Sequence, residues 1–341
     1  MKRIKFILKR IFDMDFKAIF ETVSNIHKKS GKSRIVLFID IIWCGFKYGA
    51  GYRDYEYFEF YTLNAEQRAT YIVRTTNNLI TMHCNKREYY HFLDDKVDFN
   101  TRYNDYLKRD WLDFPNSSKE DFMKFIEGKT AIIVKPVDAC CGVGVEKLNV
   151  QDFESYDAMY EKLKTMPNAH LLEDYVIQHS KMMELYPYSV NTCRITTLLV
   201  GDKVNIVYAV LRIGNNAKVV DNLNNGGMFA PINAETGEVY LPACDKQNIK
   251  YEVHPMTGVA IRGFKIPCWD EAIKLVTEAS FVTPEIRYCG WDVAITENGP
   301  LFIEANHLPG YDIQIPPSNQ EVKTYGALPF VRELLKDEFK I

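Results

Sequence analysis

Two groups of residues in this sequence have the types and spacing for chemistry on anions. The first is Lys135 in AIIVKP, residues 131–136, followed by Gly142 and Gly144. Its apolar neighbours place Lys135 on a strand face that is largely buried, and a buried lysine needs an anionic partner. A phosphate would supply one, with the glycines letting backbone N–H groups approach its oxygens. A plain strand ending in a turn fits this stretch equally well. The known glycine loops do not: there is no G-x-x-x-x-G-K-[ST], the third glycine of the dinucleotide fingerprint is missing, and a kinase loop precedes its lysine rather than following it.

The second group is GWDVAITENGPLFIEANHLPG, residues 290–310. Asp292 and Glu304 lie symmetrically about Asn298. A three-residue hairpin loop with Gly299 in the left-handed region would make them direct cross-strand partners. Asn306 would share the face of Glu304. Facing carboxylates repel unless a cation lies between them, and two carboxylates with an amide oxygen suit Mg²⁺. A two-residue turn would shift the register by one and part them. An exposed hairpin whose acids face water is the alternative.

Two arginines stand in apolar strands, Arg194 in NTCRITT and Arg212 in AVLRIGN. Each calls for an anion, either a phosphate or acyl phosphate held bidentately or a structural carboxylate. Asn222 with Gly226-Gly227 reads as a loop that can approach a ligand, or as a surface turn. Adjacent Cys140 and Cys141 read as packing residues at a strand end.

The elements that must position these groups follow from periodicity. RITTLLV, VNIVYAVLRI, GWDVAIT and PLFIEAN alternate as strands, with turn signals at Gly201-Asp202 and Glu297-Asn298-Gly299. DEAIKLVTEAS reads as a helix among them. Upstream, SSKEDFMKFI carries a capping pattern, AIIVKP a strand, 151–165 a helix and HLLEDYV a strand. The expected class is α+β, with a small lid subdomain near 110–185, a larger sheet domain, and a mainly helical region over 1–85.

Composition bounds the rest. The chain has 341 residues, 47% of them hydrophobic, enough for more than one core, and a net charge of −3 that favours no nucleic-acid partner. Its eight cysteines include no C-x-x-C pair, which points to reduced thiols in a cytoplasmic protein. The basic, apolar MKRIKFILKRIF has the pattern of a helix that packs on its own domain or touches a membrane surface peripherally. IVLFIDIIWCGF, residues 35–46, is too short to span a bilayer and reads as a core segment.

Taken in order, Lys86 opening a helix, Lys135, the glycine loop, the acidic strand end LEDYV, then Asp292 and Glu304-Ala305-Asn306 resemble an ATP-grasp enzyme over about 86–315. LRIGNNAKVVDNLNNGGMFAPIN, HPMTG and the 290–310 hairpin are most similar to the sugar-transfer-associated branch. The resemblance implies an ATP-grasp domain over 86–341 that uses ATP and Mg²⁺. Lys86 and Lys135 would contact phosphates, and Gly142 and Gly144 would form the closing lid. Glu173, Tyr175 and Val176 would lie at the adenine end, and His179 would reach the ribose unless it only caps a helix. Asp292, Glu304 and Asn306 would hold the metal. Asn85 stands where many relatives have aspartate, and the two cysteines are bulkier than the usual lid loop.

The implied activity is a carboxylate–amine ligase acting through an acyl phosphate. Its substrates would be an amino acid or amine and a sugar acid, in surface-polysaccharide biosynthesis. A non-catalytic nucleotide-binding scaffold and a phosphotransferase are the alternatives.

Overall fold

The computed structural model describes residues 15–137, 144–167, 170–215, 226–320 and 326–340. MKRIKFILKRIF, Cys140, Cys141, Gly142 and Asn222 lie outside them. The chain forms two compact units, one of residues 1–78 and 314–329, the other of 79–313 and 330–341.

The first unit is helical. Asp15 accepts from the Ala18 N–H to start the helix Phe16–Ser30, and Gly31, at φ 70°, ends it. The next helix, Arg34–Lys47, carries the apolar run. Its aspartate is explained by charge: Arg68 donates to both oxygens of Asp40 at 2.7 and 2.8 Å, and the Tyr55 hydroxyl donates at 2.6 Å. Only one face of this helix is core. Leu37, Ile41 and Cys44 are buried, whereas Ile35, Val36, Ile39 and Trp43 are exposed, so the expectation of a core segment holds for half of it. The unit is completed from far downstream, since Gln314 exchanges hydrogen bonds with the backbone of Ile72.

The second unit contains two antiparallel sheets. The smaller runs in the order β1 (Trp111–Asp113), β4 (His170–Asp174), β2 (Ala131–Pro136), β3 (Glu146–Asn149). Ser118 and Asp121 form the expected capping box on the helix Lys119–Ile126. That helix and Tyr156–Thr165 supply Phe122, Phe125, Met159 and Leu163, which pack on Ile132, Val134 and Leu172. Because side chains alternate along a strand, Ile133, Lys135, Leu171 and Glu173 take the other face.

The larger sheet has seven strands. The order is β11 (Gly299–Asn306), β10 (Tyr288–Thr296), β5 (Cys193–Val200), β6 (Lys203–Ile213), β7 (Met228–Ile232), β8 (Ala243–Cys244), β9 (Lys250–Tyr251). One face carries Ile195, Leu211, Trp291, Val293 and Phe302 into a core closed by the helix Trp269–Ala279. Met182 and Leu185, from the helix Ser180–Leu185, join that core. The opposite face carries Arg194, Arg212, Asp292 and Glu304.

Candidate functional site

Asp292 stands opposite Glu304 on β11 and opposite Arg194 on β5, so three charged residues form one row across three strands. The facing carboxylates are as expected, but the route to them differs. Thr296 pairs with Gly299 across two residues, with Gly299 at φ 93°, and this register alone would part the acids. A bulge between Asp292 and Val293, with Ile303 as the extra residue on β11, restores the pairing.

Asp292 is buried and fully engaged. Arg194 donates to it from Nε and, at 2.6 Å, from Nη2; Arg212 donates from Nη1 at 2.9 Å. Burial would raise its pKa, but the two guanidinium groups outweigh burial and hold the carboxyl well below the usual carboxylate range. Arg194 is correspondingly raised: burial would lower it, and Asp292 prevails.

Glu304 behaves oppositely. Its side chain is 47% accessible, and the nearest Arg194 nitrogen is 4.0 Å away. Although about half of that surface meets water, desolvation of the carboxylate by the groups packed around it and then the Asp292 charge push its pKa up. Two beyond it, the Asn306 Nδ2 is buried with no hydrogen-bond partner. Two carboxylates in repulsion, with the amide oxygen of Asn306 two residues on, are oxygen donors of the kind Mg²⁺ takes, completed by ligand oxygens and water; the unpartnered Nδ2 is a hydrogen-bond donor and would take no part in holding a cation. Among the described residues no group of three His, Cys, Asp or Glu could hold a metal.

On the smaller sheet, Lys135 Nζ lies 2.5 Å from Glu173 Oε2. Arg109 and Asn100 each donate to Oε1 at 2.9 Å. Burial opposes the charge on Glu173, but Arg109 and Lys135 overcome it and the pKa falls well below the ordinary value. Arg109 also donates to the carbonyls of Phe302 and Ile303, at the β11 bulge. One guanidinium therefore ties the acid of the smaller sheet to the backbone beside Glu304. Arg109 and Asn100 carry no motif in the sequence; the only signal was a buried acid that needed more than one partner.

The remaining expected residues are placed as follows. Lys86 is exposed and opens the 3₁₀ turn Arg87–Tyr89. Asn85 before it is buried, donating to the carbonyls of Tyr288 and His307 and accepting from the Tyr288 N–H. An aspartate could not donate, which accounts for the amide here. Gly144 has φ 72°, and a Cβ there would meet Pro136 Cγ at 2.7 Å. Tyr175 lies under the Lys147 ammonium, 3.7 Å from the ring centroid, and Val176 is half-buried. His179 caps the helix Ser180–Leu185 and stands 3.4 Å from Glu297, both structural contacts. In HPMTG, buried His254 bonds the Gly214 carbonyl at 2.9 Å, bracing the strand end after Arg212.

The sequence profile of the family described as sugar-transfer associated ATP-grasp matches residues 75–324. The chain belongs to this family. The mixed architecture is thus an ATP-grasp fold preceded by a helical region. The sugar-transfer-associated ATP-grasp chain is similar to several solved structures. One is the ATP-grasp ligase PsnB complexed with minimal precursor, Mg and ADP, at TM-score 0.42 and 14% identity, covering 74% of this chain and 61% of that one. Another is the D-alanine-D-alanine ligase from Coxiella burnetii, at 0.40 and 12%, covering 72% and 57%. A third is the D-alanine-D-alanine ligase from Helicobacter pylori, at 0.40 and 12%, covering 77% and 65%. The chain spans less than two thirds of the length of each. Comparison with curated proteins gives no match.

Proposed function

We propose that this chain is an ATP- and Mg²⁺-dependent ligase joining a carboxylate to an amine through an acyl phosphate. The carrying observation is the pair of charged constellations joined by Arg109: Lys135 with Glu173 on one sheet, Asp292, Glu304 and Asn306 on the other. In the proposed reaction a substrate carboxylate attacks the γ-phosphorus and ADP leaves; an amine then attacks the acyl carbon and phosphate leaves.

Little covalent work falls to the protein, whose task is alignment and charge neutralisation. Lys86 and Lys135 would bind phosphate oxygens, with Lys135 exchanging Glu173 for the nucleotide. Gly142 and Gly144 would let the loop between β2 and β3 close and exclude water. Glu173, Tyr175 and Val176 would border the adenine, with His179 toward the ribose. Asp292, Glu304 and Asn306 would hold Mg²⁺, which supplies neutralisation of phosphate charge. Arg194 and Arg212 would face the acyl phosphate, and their bonds to Asp292 keep both forks oriented until an anion competes for them.

A sugar acid and an amino acid or amine, in cytoplasmic assembly of surface polysaccharide, are the proposed setting. The experiment is incubation of purified protein with ATP, Mg²⁺ and a panel of uronic-acid sugars paired with amino acids. ADP release with a particular pair supports the ligase; its absence with every pair rejects it. Phosphate retained on the acceptor would identify a phosphotransferase instead. One observation favours a binding scaffold as the second reading: Asp292 is already neutralised by two arginines. Nucleotide binding that is metal-independent and survives Glu304→Gln would establish that reading.

A further inference from the structure

We infer that the helix Arg34–Lys47 docks the protein on an anionic lipid bilayer through its exposed apolar face. This surface is independent of the proposed ligase chemistry.

The helix is apolar nearly all round, a pattern normally found with every face covered. Here one face packs Leu37, Ile41 and Cys44 into its unit. The other leaves Ile35 72%, Val36 59%, Ile39 61%, Trp43 56% and Phe46 39% exposed. At 100° per residue these five fall within one arc of about 100°. Phe20, 59% exposed, stacks on Phe38 at 5.4 Å and extends the patch onto the preceding helix. Scattered exposed apolar residues need no explanation, but a contiguous face of this kind marks an interaction site.

Charge selects the occupant. Residues 15–50, which hold this helix and the one before it, carry six Lys and Arg against three Asp and Glu, a formal +3 in a chain whose total is −3. One of those three acids, Asp40, is neutralised by Arg68. The exposed arc begins beside Arg34 and ends beside Lys47, whose ammonium lies 5.9 Å from the Trp43 ring and 5.1 Å from that of Tyr48. Apolar residues and a tryptophan between basic ends are the composition of a helix lying in the headgroup region of an anionic leaflet. A second copy would bring two faces flanked by the same basic residues, Arg34 and Lys47, against each other. No helix among the described residues is long and apolar enough to cross a membrane, so the contact is parallel to the surface.

The test is sedimentation of the purified full chain with vesicles of phosphatidylcholine alone or with about a third phosphatidylglycerol. Binding to the anionic vesicles should exceed binding to neutral ones at least about tenfold at low salt, and should fall as salt rises. Trp43→Glu and Ile39→Glu should each reduce it to the neutral-vesicle level with thermal midpoint and nucleotide binding unchanged, which excludes misfolding as the cause. Equal binding to both vesicle types, or wild-type binding by both variants, overturns the proposal. So does a dimer, seen by light scattering, that Trp43→Glu dissociates, because the face would then be a contact between copies.

Discussion

Lys135 and Glu173 are diagonal neighbours on adjacent antiparallel strands, their charged atoms 2.5 Å apart. Both lie on the face turned away from the smaller sheet's own core. The lysine is compensated before any nucleotide arrives, and Glu173 retains Arg109 and Asn100 if Lys135 moves. Lys135→Met should therefore leave the fold intact and weaken ATP binding about tenfold to a hundredfold, the size of a lost charge-assisted hydrogen bond. Calorimetry with a non-hydrolysable analogue measures this; unchanged affinity would confine Lys135 to neutralising Glu173.

Arg109 is expected to matter for both stability and turnover. Replacing it with Met leaves a buried carboxylate with one cation fewer and frees the carbonyls of Phe302 and Ile303. A loss of about 3 kcal/mol in urea unfolding is expected. Arg109→Lys should restore only part, because one ammonium cannot span a carboxylate and two carbonyls.

Glu304→Gln separates stability from activity. The substitution removes like-charge repulsion with Asp292, so the midpoint of thermal unfolding without metal should rise slightly. Mg²⁺-dependent ADP release should disappear. A fall in stability together with retained activity would contradict the proposed metal role.

The two kinds of acid give opposite pH dependences. Glu173 and Asp292 have folded pKa values below their unfolded values near about 4. Their contribution is present above that range and lost as pH falls through it, so acid should unfold the protein. Glu304 is raised, so its contribution is present below the unfolded value and fades as pH rises through the folded one. Mg²⁺ competes with that proton, and its affinity should begin to fall, on acidification, at a higher pH than for an ordinary glutamate. Denaturation and metal titrations across pH test both signs.

Asn85→Asp should be destabilising even though aspartate is common there among ATP-grasp proteins. It would leave the Tyr288 and His307 carbonyls without their donor and bury a charge, at a cost of about 2 kcal/mol in chemical unfolding.

The pairing of Asp292 with Glu304 was expected through a loop that the structure does not use. Strand periodicity in the sequence was enough to set Lys135 and Glu304 on their strands, because side-chain direction is a local property with a period of two. The capping box at Ser118 was legible for the same reason. The bulge at Ile303 was not, since a two-residue turn and an offset bulge together give the same pairing as the three-residue loop that was expected. Arg109, Asn100 and the two arginines on Asp292 were beyond reach as partners: charge compensation acts through space, and 64 to 98 residues separate the arginine–carboxylate pairs along the chain. The return of Gln314 to Ile72 is likewise a long-range exchange of hydrogen bonds with no local signal. Hydropathy determined that residues 35–46 are apolar and helical in length. Only tertiary packing decided which half is covered, because burial depends on what lies opposite a face and not on the residues that compose it.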